Sequence, residues 1–295
     1  MEIFDINNNI SGLKWEIENP KAFVVIGHGM AEHASRYDYI AKLLNKDNYS
    51  VYAINQIGHG IPVVGKKGHW EKGDFEKCVD NMEELVKYLK DKNPGKKIFI
   101  IAHSMGSFIL QEYISKYGNS VNGVVLSGTN GPSTLAKAGN FVANVVFALA
   151  DNTKPNKFLN KLSFGSYNSA FKPNKTEFDW LSRDEEQVKK YIEDDDCGFV
   201  CTTGFFKEFT SALANLHSLD KIKRIPLNLP ILLISGEKDP VGENGKGVMK
   251  LYSLYKDNDL KNVDIKLYPN ARHEIFNEIN KNEVISDVIK WLNKN

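Results

Sequence analysis

The stretch IIAHSMGSF, Ile100 to Phe108, sets one serine, Ser104, after an apolar run and before small residues. A serine there is either the N-cap of the helix that follows or a nucleophile shown on a strained turn. The second role needs small neighbours, and Ala102, Gly106 and Ser107 supply them, although the usual G-x-S-x-G is here A-H-S-M-G. It also needs a base and a third group to orient that base. In a doubly wound sheet these follow the serine in the order acid, then histidine, each in a loop at the carboxyl end of a later strand. Of the seven histidines, His28, His33, His59 and His69 precede Ser104 and His103 adjoins it, which leaves His217 and His273. His217, in SALANLHSLDKI, reads as part of a helix. His273 lies in the loop PNARHE, between an alternating strand, VDIKLY, and a closing helix, NEVISDVIKWLNK. The acid should follow the preceding strand, PILLIS, where GEKDP offers Glu237 and Asp239. Asp239 is favoured because Pro240 fixes the turn and the shorter carboxylate is the commoner orienter, with Glu237 left open as a substitute. Donors for a developing oxyanion would be the backbone N–H groups of Met105 and of Met30, the latter in GHGM, where Gly27 and Gly29 allow close approach.

Elements able to position these residues are legible in the hydrophobic pattern. Ala22 to Ile26 reads as a buried strand that breaks at a glycine-rich turn, and SRYDYIAKLLNK follows as a helix with Tyr39, Ile40, Leu43 and Leu44 on one face. SVYAINQIGHG repeats the arrangement. FEKCVDNMEELVKYLKD is an amphipathic helix, KIFIIAHS a continuously apolar strand, and GVVLSG and PILLIS two more. Strands alternating with helices imply an α/β fold with a mostly parallel sheet flanked by helices. The alternation lapses between Gly131 and Pro226, which divides the chain into a core of 1–130 and 226–295 and a helical insertion of 131–225. In that insertion Ser182 and Glu185 have capping-box spacing.

Composition narrows the function classes. The chain has 295 residues, 42% hydrophobic and 25% charged, as in a globular protein. Its 38 Lys+Arg and 37 Asp+Glu leave a formal charge of +1, which gives no attraction to nucleic acid. MEIFDINNN lacks the basic start and apolar core of a secretory signal, and FVANVVFALA is far shorter than the ~20 residues of a membrane span. Cys78, Cys197 and Cys201 make neither an even disulfide set nor a metal pattern with neighbouring histidines, so a reducing cytoplasm is the expected compartment. Asp194, Asp195 and Asp196 read as a solvated helix end. Gly242, Gly245, Lys246 and Gly247 lack the spacing of a phosphate loop. No metal and no cofactor is expected.

Taken together, HGMAEHASRY, GHG at Gly58 to Gly60, AHSMGS, WLSRDEE, GEKDPVG and LYPNARHEIFNE resemble the α/β-hydrolase family of monoacylglycerol lipases, bacterial lysophospholipases and serine aminopeptidase-type hydrolases. The resemblance runs from Gly27 to Trp291. It implies an α/β-hydrolase fold, a nucleophile at Ser104, an acid at Asp239, a base at His273 and oxyanion amides at Met30 and Met105. It also makes 131–225 a cap over the site, in which Phe141, Val142, Val145, Val146, Phe147 and Leu149 either face an acyl chain or pack the cap on the core. One stretch departs: where the family commonly has D-x-R-G-H-G, Asn55 to Gly60 reads N-Q-I-G-H-G, without the acid and the arginine. The expected activity is hydrolysis of a single-chain lipid ester, a monoacylglycerol or lysophospholipid, compatible with weak association at a membrane surface. An aminopeptidase, with Asp179 or Asp194 to Asp196 holding the substrate's amino group, a small-ester carboxylesterase and a non-catalytic binding protein are the alternatives. Nothing in the sequence specifies an oligomeric state.

Overall fold

Residues 22–27, 49–54, 98–103, 123–127 and 231–236 are buried without interruption, a pattern that requires cover on both faces of a sheet. The structure, a computed structural model that describes residues 1–7, 10–61, 63 and 65–295, provides it. Its strands are β1 (Glu2–Ile6), β2 (Ile10–Trp15), β3 (Ala22–Gly27), β4 (Tyr49–Ile54), β5 (Lys97–His103), β6 (Gly123–Ser127), β7 (Ile231–Gly236) and β8 (Val263–Tyr268). They form one sheet in the order β1-β2-β4-β3-β5-β6-β7-β8. From β4 to β8 every pairing is parallel, and β1 and β2 join antiparallel at one edge.

The two-residue period of the strands sorts side chains to the two faces. Phe23, Val25, Ile98 and Ile100 point to the side covered by α2 (Asp74–Lys92), α3 (Met105–Tyr117) and α9 (Lys246–Asp257). Val24, Ile26, Phe99 and Ile101 point to the side covered by α1 (Asp38–Lys46) and α10 (Lys281–Lys294). Between β6 and β7 the chain forms α4 (Thr134–Leu149), α5 (Lys157–Phe164), α6 (Glu185–Glu193), α7 (Thr203–Asn215) and α8 (Leu219–Ile222). Among the described residues no helix is long and apolar enough to cross a membrane.

Several local expectations need correction. The β1–β2 hairpin was not expected, because β1 buries only Phe4 and Ile6 and carries too little pattern. In α1 the buried residues are Ile40, Ala41 and Leu44, and Tyr39 is exposed. The N-cap of α6 is Asp184, whose side chain accepts from the Gln187 amide, while the Ser182 hydroxyl donates to the Asn277 carbonyl.

Chain direction makes the site's location intelligible. β3 lies between β4 on one side and β5 on the other, so the connections leave in opposite directions and open a crevice at the carboxyl ends. Gly27 at the end of β3 pairs with Ala102 near the end of β5, which brings the loop after β3 against the turn that carries Ser104. That turn is strained: Ser104 has φ 51° and ψ −119°, where few non-glycine residues sit. Gly106 permits it, since a Cβ there would lie 2.5 Å from the Gly27 carbonyl oxygen and 2.6 Å from that of His28. Gly106→Ala is therefore expected to cost about 1–3 kcal/mol of stability by overpacking, measured by denaturant unfolding. Wild-type stability in that variant would show that the turn has room to relax.

Candidate active site

At the carboxyl edge of the sheet, Ser104 from the β5–α3 turn, His273 from the loop after β8 and Asp239 from the loop after β7 form one hydrogen-bonded chain. The Ser104 hydroxyl lies 2.9 Å from His273 Nε2, and His273 Nδ1 lies 2.9 Å from Asp239 Oδ1. Asp239 is fully buried, and its carboxylate also accepts from the Val241 amide at 2.9 Å and the Ser235 hydroxyl at 3.1 Å. Burial alone would raise the Asp239 pKa, but His273 and the Val241 amide hold it below the ordinary value. Burial alone would lower that of His273, but the Asp239 carboxylate raises it above 6.5. Glu237, the other acid considered, is exposed and takes no part. His217 is not in a helix: it follows α7 in a turn and bonds Gln111 at 2.8 Å, away from the serine.

The backbone beside Ser104 is held in a definite orientation. Met105 is the first residue of α3, so its N–H has no carbonyl one turn earlier to bond. The loop after β3 is fixed peptide by peptide. Gly29 N donates to Glu32 Oε1 at 2.6 Å, and the Gly29 carbonyl lies 2.7 Å from His28 Nδ1. His28 Nε2 accepts from the Gln56 amide at 3.0 Å, so the ring proton resides on Nδ1 and donates to that carbonyl. Burial keeps this ring neutral, with its pKa lowered to about 4. In a trans peptide the carbonyl and the following N–H point in opposite directions, so anchoring the Gly29 oxygen on His28 turns the Met30 N–H the other way. Among the described residues that N–H has no protein acceptor, and Met30 lines the cavity with Ser104.

Residues outside the expected set support this loop. Arg36 makes a two-pronged contact with Glu274, at 2.8 and 2.6 Å, and a third bond to Glu32 at 2.6 Å. Burial would raise the Glu32 pKa, but the Arg36 charge overrides it and brings the value down to about 2. Glu274 is the immediate neighbour of His273, so one guanidinium ties the loop after β3 to the loop after β8. The motif HGMAEHASRY contains Glu32 and Arg36, yet no spacing rule pairs Arg36 with a residue 238 positions away. His103 packs its ring 4.6 Å from that of His273, and burial lowers its pKa to about 4, so it adds no positive charge beside the base.

Above Ser104 lies a cavity of about 550 Å³. Its lining includes the apolar side chains of Phe164, Trp180, Leu181, Phe199 and Val200, with the Trp180 ring 5.2 Å from that of His273, and the polar ones of Asn160, Lys161, Asn168 and Asn174. From the helical insertion it is lined by residues of 160–181, by Tyr191 and by 198–200. The α4 residues weighed for this role do not reach it: Val142 and Val146 pack on the core, Phe141, Val145 and Leu149 are exposed, and Phe147 lies under Lys207. Nor do Asp179 and Asp194 to Asp196. The Asp179 carboxylate accepts from the Lys175 and Thr176 amides, Asp194 meets His33, and Asp196 meets Lys67.

Comparison with known proteins places this arrangement. The profile of the family described as "Serine aminopeptidase, S33" matches residues 18–280. The chain is 30% identical to the monoacylglycerol lipase of Mycolicibacterium smegmatis, over 93% of this chain and 89% of that protein. It is 27% identical to the human monoglyceride lipase, over 93% of this chain and 83% of that one. Among solved structures, a thermostable carboxyl esterase from Bacillus coagulans in complex with glycerol superimposes with a TM-score of 0.90. It shares 26% identity, with 99% of this chain and 97% of that one covered.

The electrostatics give a direct test by NMR titration of the His273 ring. Its pKa is expected above 6.5, and Asp239→Asn, which removes the largest raising charge, is expected to lower it. An unchanged titration in the variant would mean that another group controls this imidazole.

Proposed function

The chain belongs to the serine aminopeptidase, S33, family of α/β-hydrolases, and from that premise we propose that it hydrolyses carboxylic esters of single-chain lipids, a monoacylglycerol or a lysophospholipid. The observation that carries the reading is the unbroken chain from Ser104 through His273 to Asp239, opening into a cavity lined in part by Phe164, Trp180, Leu181, Phe199 and Val200. His273 Nε2 takes the Ser104 proton as Oγ attacks the ester carbonyl, and the oxyanion accepts from the Met30 and Met105 amides. The imidazolium, steadied by Asp239, then protonates the leaving alcohol. Water enters by the same base and frees the fatty acid.

In this reading 131–225 is a cap on a core of 1–130 and 226–295, and the aromatic residues of 164–199 receive the acyl chain. Exposed Phe141, Leu149 and Phe158 suit weak contact with a lipid surface, and the three free buried thiols suit a reducing cytoplasm. The aminopeptidase alternative is disfavoured because the acids proposed to hold an α-amino group are engaged elsewhere, and Glu32 and Glu274, which do line the cavity, both commit carboxylate oxygens to Arg36. The relatives' names also favour esters over peptides.

Two experiments test the reading. With p-nitrophenyl esters from acetyl to dodecanoyl, monoacylglycerol, lysophosphatidylcholine and aminoacyl p-nitroanilides, kcat/KM is expected to be highest on the long-chain esters. Ser104→Ala is expected to lose roughly 10⁴–10⁶-fold, and anilide cleavage outrunning ester cleavage would replace this function with a peptidase. His28→Phe frees the Gly29 carbonyl, so kcat should fall about 10²–10³-fold, as for loss of one oxyanion donor. An equal rise in KM with unchanged kcat would instead assign His28 to substrate binding.

A further inference from the structure

Away from the serine, the loop after α6 turns back against the loop after β3. There His33, 161 residues from Asp194 in the chain, meets both Asp194 and Cys197. Nε2 of His33 is 2.8 Å from Asp194 Oδ2, and one ligand atom from each of the three residues lies within 4.8 Å of the others. We propose that His33, Asp194 and Cys197 form a divalent transition-metal site suited to Zn²⁺, which fastens the loop after α6 to the loop after β3.

The donor set is that of a three-ligand zinc site: imidazole nitrogen, carboxylate oxygen and thiolate sulfur, with the fourth tetrahedral position left to water. Thiolate and carboxylate together neutralise the ion, and the thiol proton leaves to solvent as the metal binds. Tetrahedral Zn–N, Zn–O and Zn–S bonds place ligand atoms about 3.3–3.6 Å apart, so the cluster needs adjustments of about 1 Å.

Each side chain is also oriented from behind, as ligands usually are. His33 Nδ1 is 2.8 Å from the Ser35 hydroxyl, which leaves Nε2 for the metal. Asp194 Oδ1 accepts from the Asp196 amide at 2.9 Å, which leaves Oδ2. Cys197 is 92% buried by its 8% exposure, and among the described residues its sulfur has no hydrogen-bond partner. Cations that face the cluster are committed elsewhere. Arg36 serves Glu32 and Glu274, and Lys67 bonds the Asp195 carbonyl at 2.6 Å and the Asp196 carboxylate at 2.7 Å. Asp194 is the most open of the three, with its side chain 34% exposed, and gives the ion its way in.

The mechanical link is short. Next to Cys197, the Gly198 amide donates to the Ala31 carbonyl at 2.9 Å, and the Tyr191 hydroxyl donates to the same oxygen at 3.0 Å. Ala31 follows Met30, so a metal bridge would stiffen the junction between the helical insertion and the loop beside Ser104. The site does not depend on the ester-hydrolase reading, and its test uses no substrate.

Zn²⁺ titrated into the reduced, chelator-free protein is expected to bind one ion per chain and raise Tm. Co²⁺ in its place is expected to give a thiolate-to-cobalt charge-transfer band. Cys197→Ser should abolish that band, while Cys201→Ser, which leaves the three ligands intact, should retain it. Asp194→Asn, at a partly exposed position, should weaken Zn²⁺ binding at least ~10-fold and keeps the test decisive where the cysteine variants fold poorly. Absence of stoichiometric binding to the wild-type chain, or binding and a band that persist through Cys197→Ser and Asp194→Asn, overturns the site.

Discussion

One guanidinium holds the two halves of the site in register. Arg36 stands between Glu32, which fixes the Gly29 amide, and Glu274, which adjoins His273. These groups come from loops after β3 and β8, separated in the sheet by β5, β6 and β7. Such a buried triad is weak evidence for stability, because removing three charges from water costs much of what their attraction returns. Its geometric consequence is firmer. A planar fork with two bonds to Glu274 and one to Glu32 admits few alternative arrangements, so neither loop can shift without leaving a charge unpaired.

Around that clamp, neutral groups do the finer orientation. His28 is uncharged and shows one tautomer, set by the Gln56 amide, and so its Nδ1 proton goes to the Gly29 carbonyl. The helical insertion is held to the same two loops by polar contacts. Gly198 and Tyr191 bond Ala31, and Arg183 meets the fully buried Glu278, which also accepts from the Arg272 amide. The Glu274 amide donates to the Leu181 carbonyl at 2.7 Å, next to Trp180, whose ring lies 5.2 Å from that of His273. The insertion thus touches the core at the loops that carry Met30 and His273, which couples its position to the shape of the cavity.

The parts of this arrangement that were legible in the sequence are those with local signatures. Buried strands followed by glycine-rich or polar loops marked β3 to β7 and alternation marked β8, and chain order then led to Ser104, Asp239 and His273, the three side chains the structure joins. What escaped depends on distant partners. Arg36 and Glu274, or His33 and Cys197, have no spacing to mark them. The cavity wall was left open for a related reason: α4 is the most apolar stretch of the insertion, but hydrophobicity does not say which way a helix turns, and residues of 160–181, with their mixed aromatics and asparagines, line the cavity.

The departure at Asn55 to Gly60 can be understood in the same terms. Without the acid and arginine common there, the loop after β4 uses amides. Asn55 accepts from the Ala34 amide at 3.2 Å, and Gly60, with φ 84°, lets the chain pass so close that a Cβ would lie 2.1 Å from Asn55 Cγ. Gln56 uses its main chain to hold His28, while its buried side-chain amide has no partner among the described residues. A buried amide left unpaired costs on the order of 1–3 kcal/mol, yet it carries no charge that could perturb the neutral imidazoles of His28 and His59 nearby. Exchanging an ion pair for amides at this position therefore adds no charge beside His28, the ring that orients the loop next to Ser104.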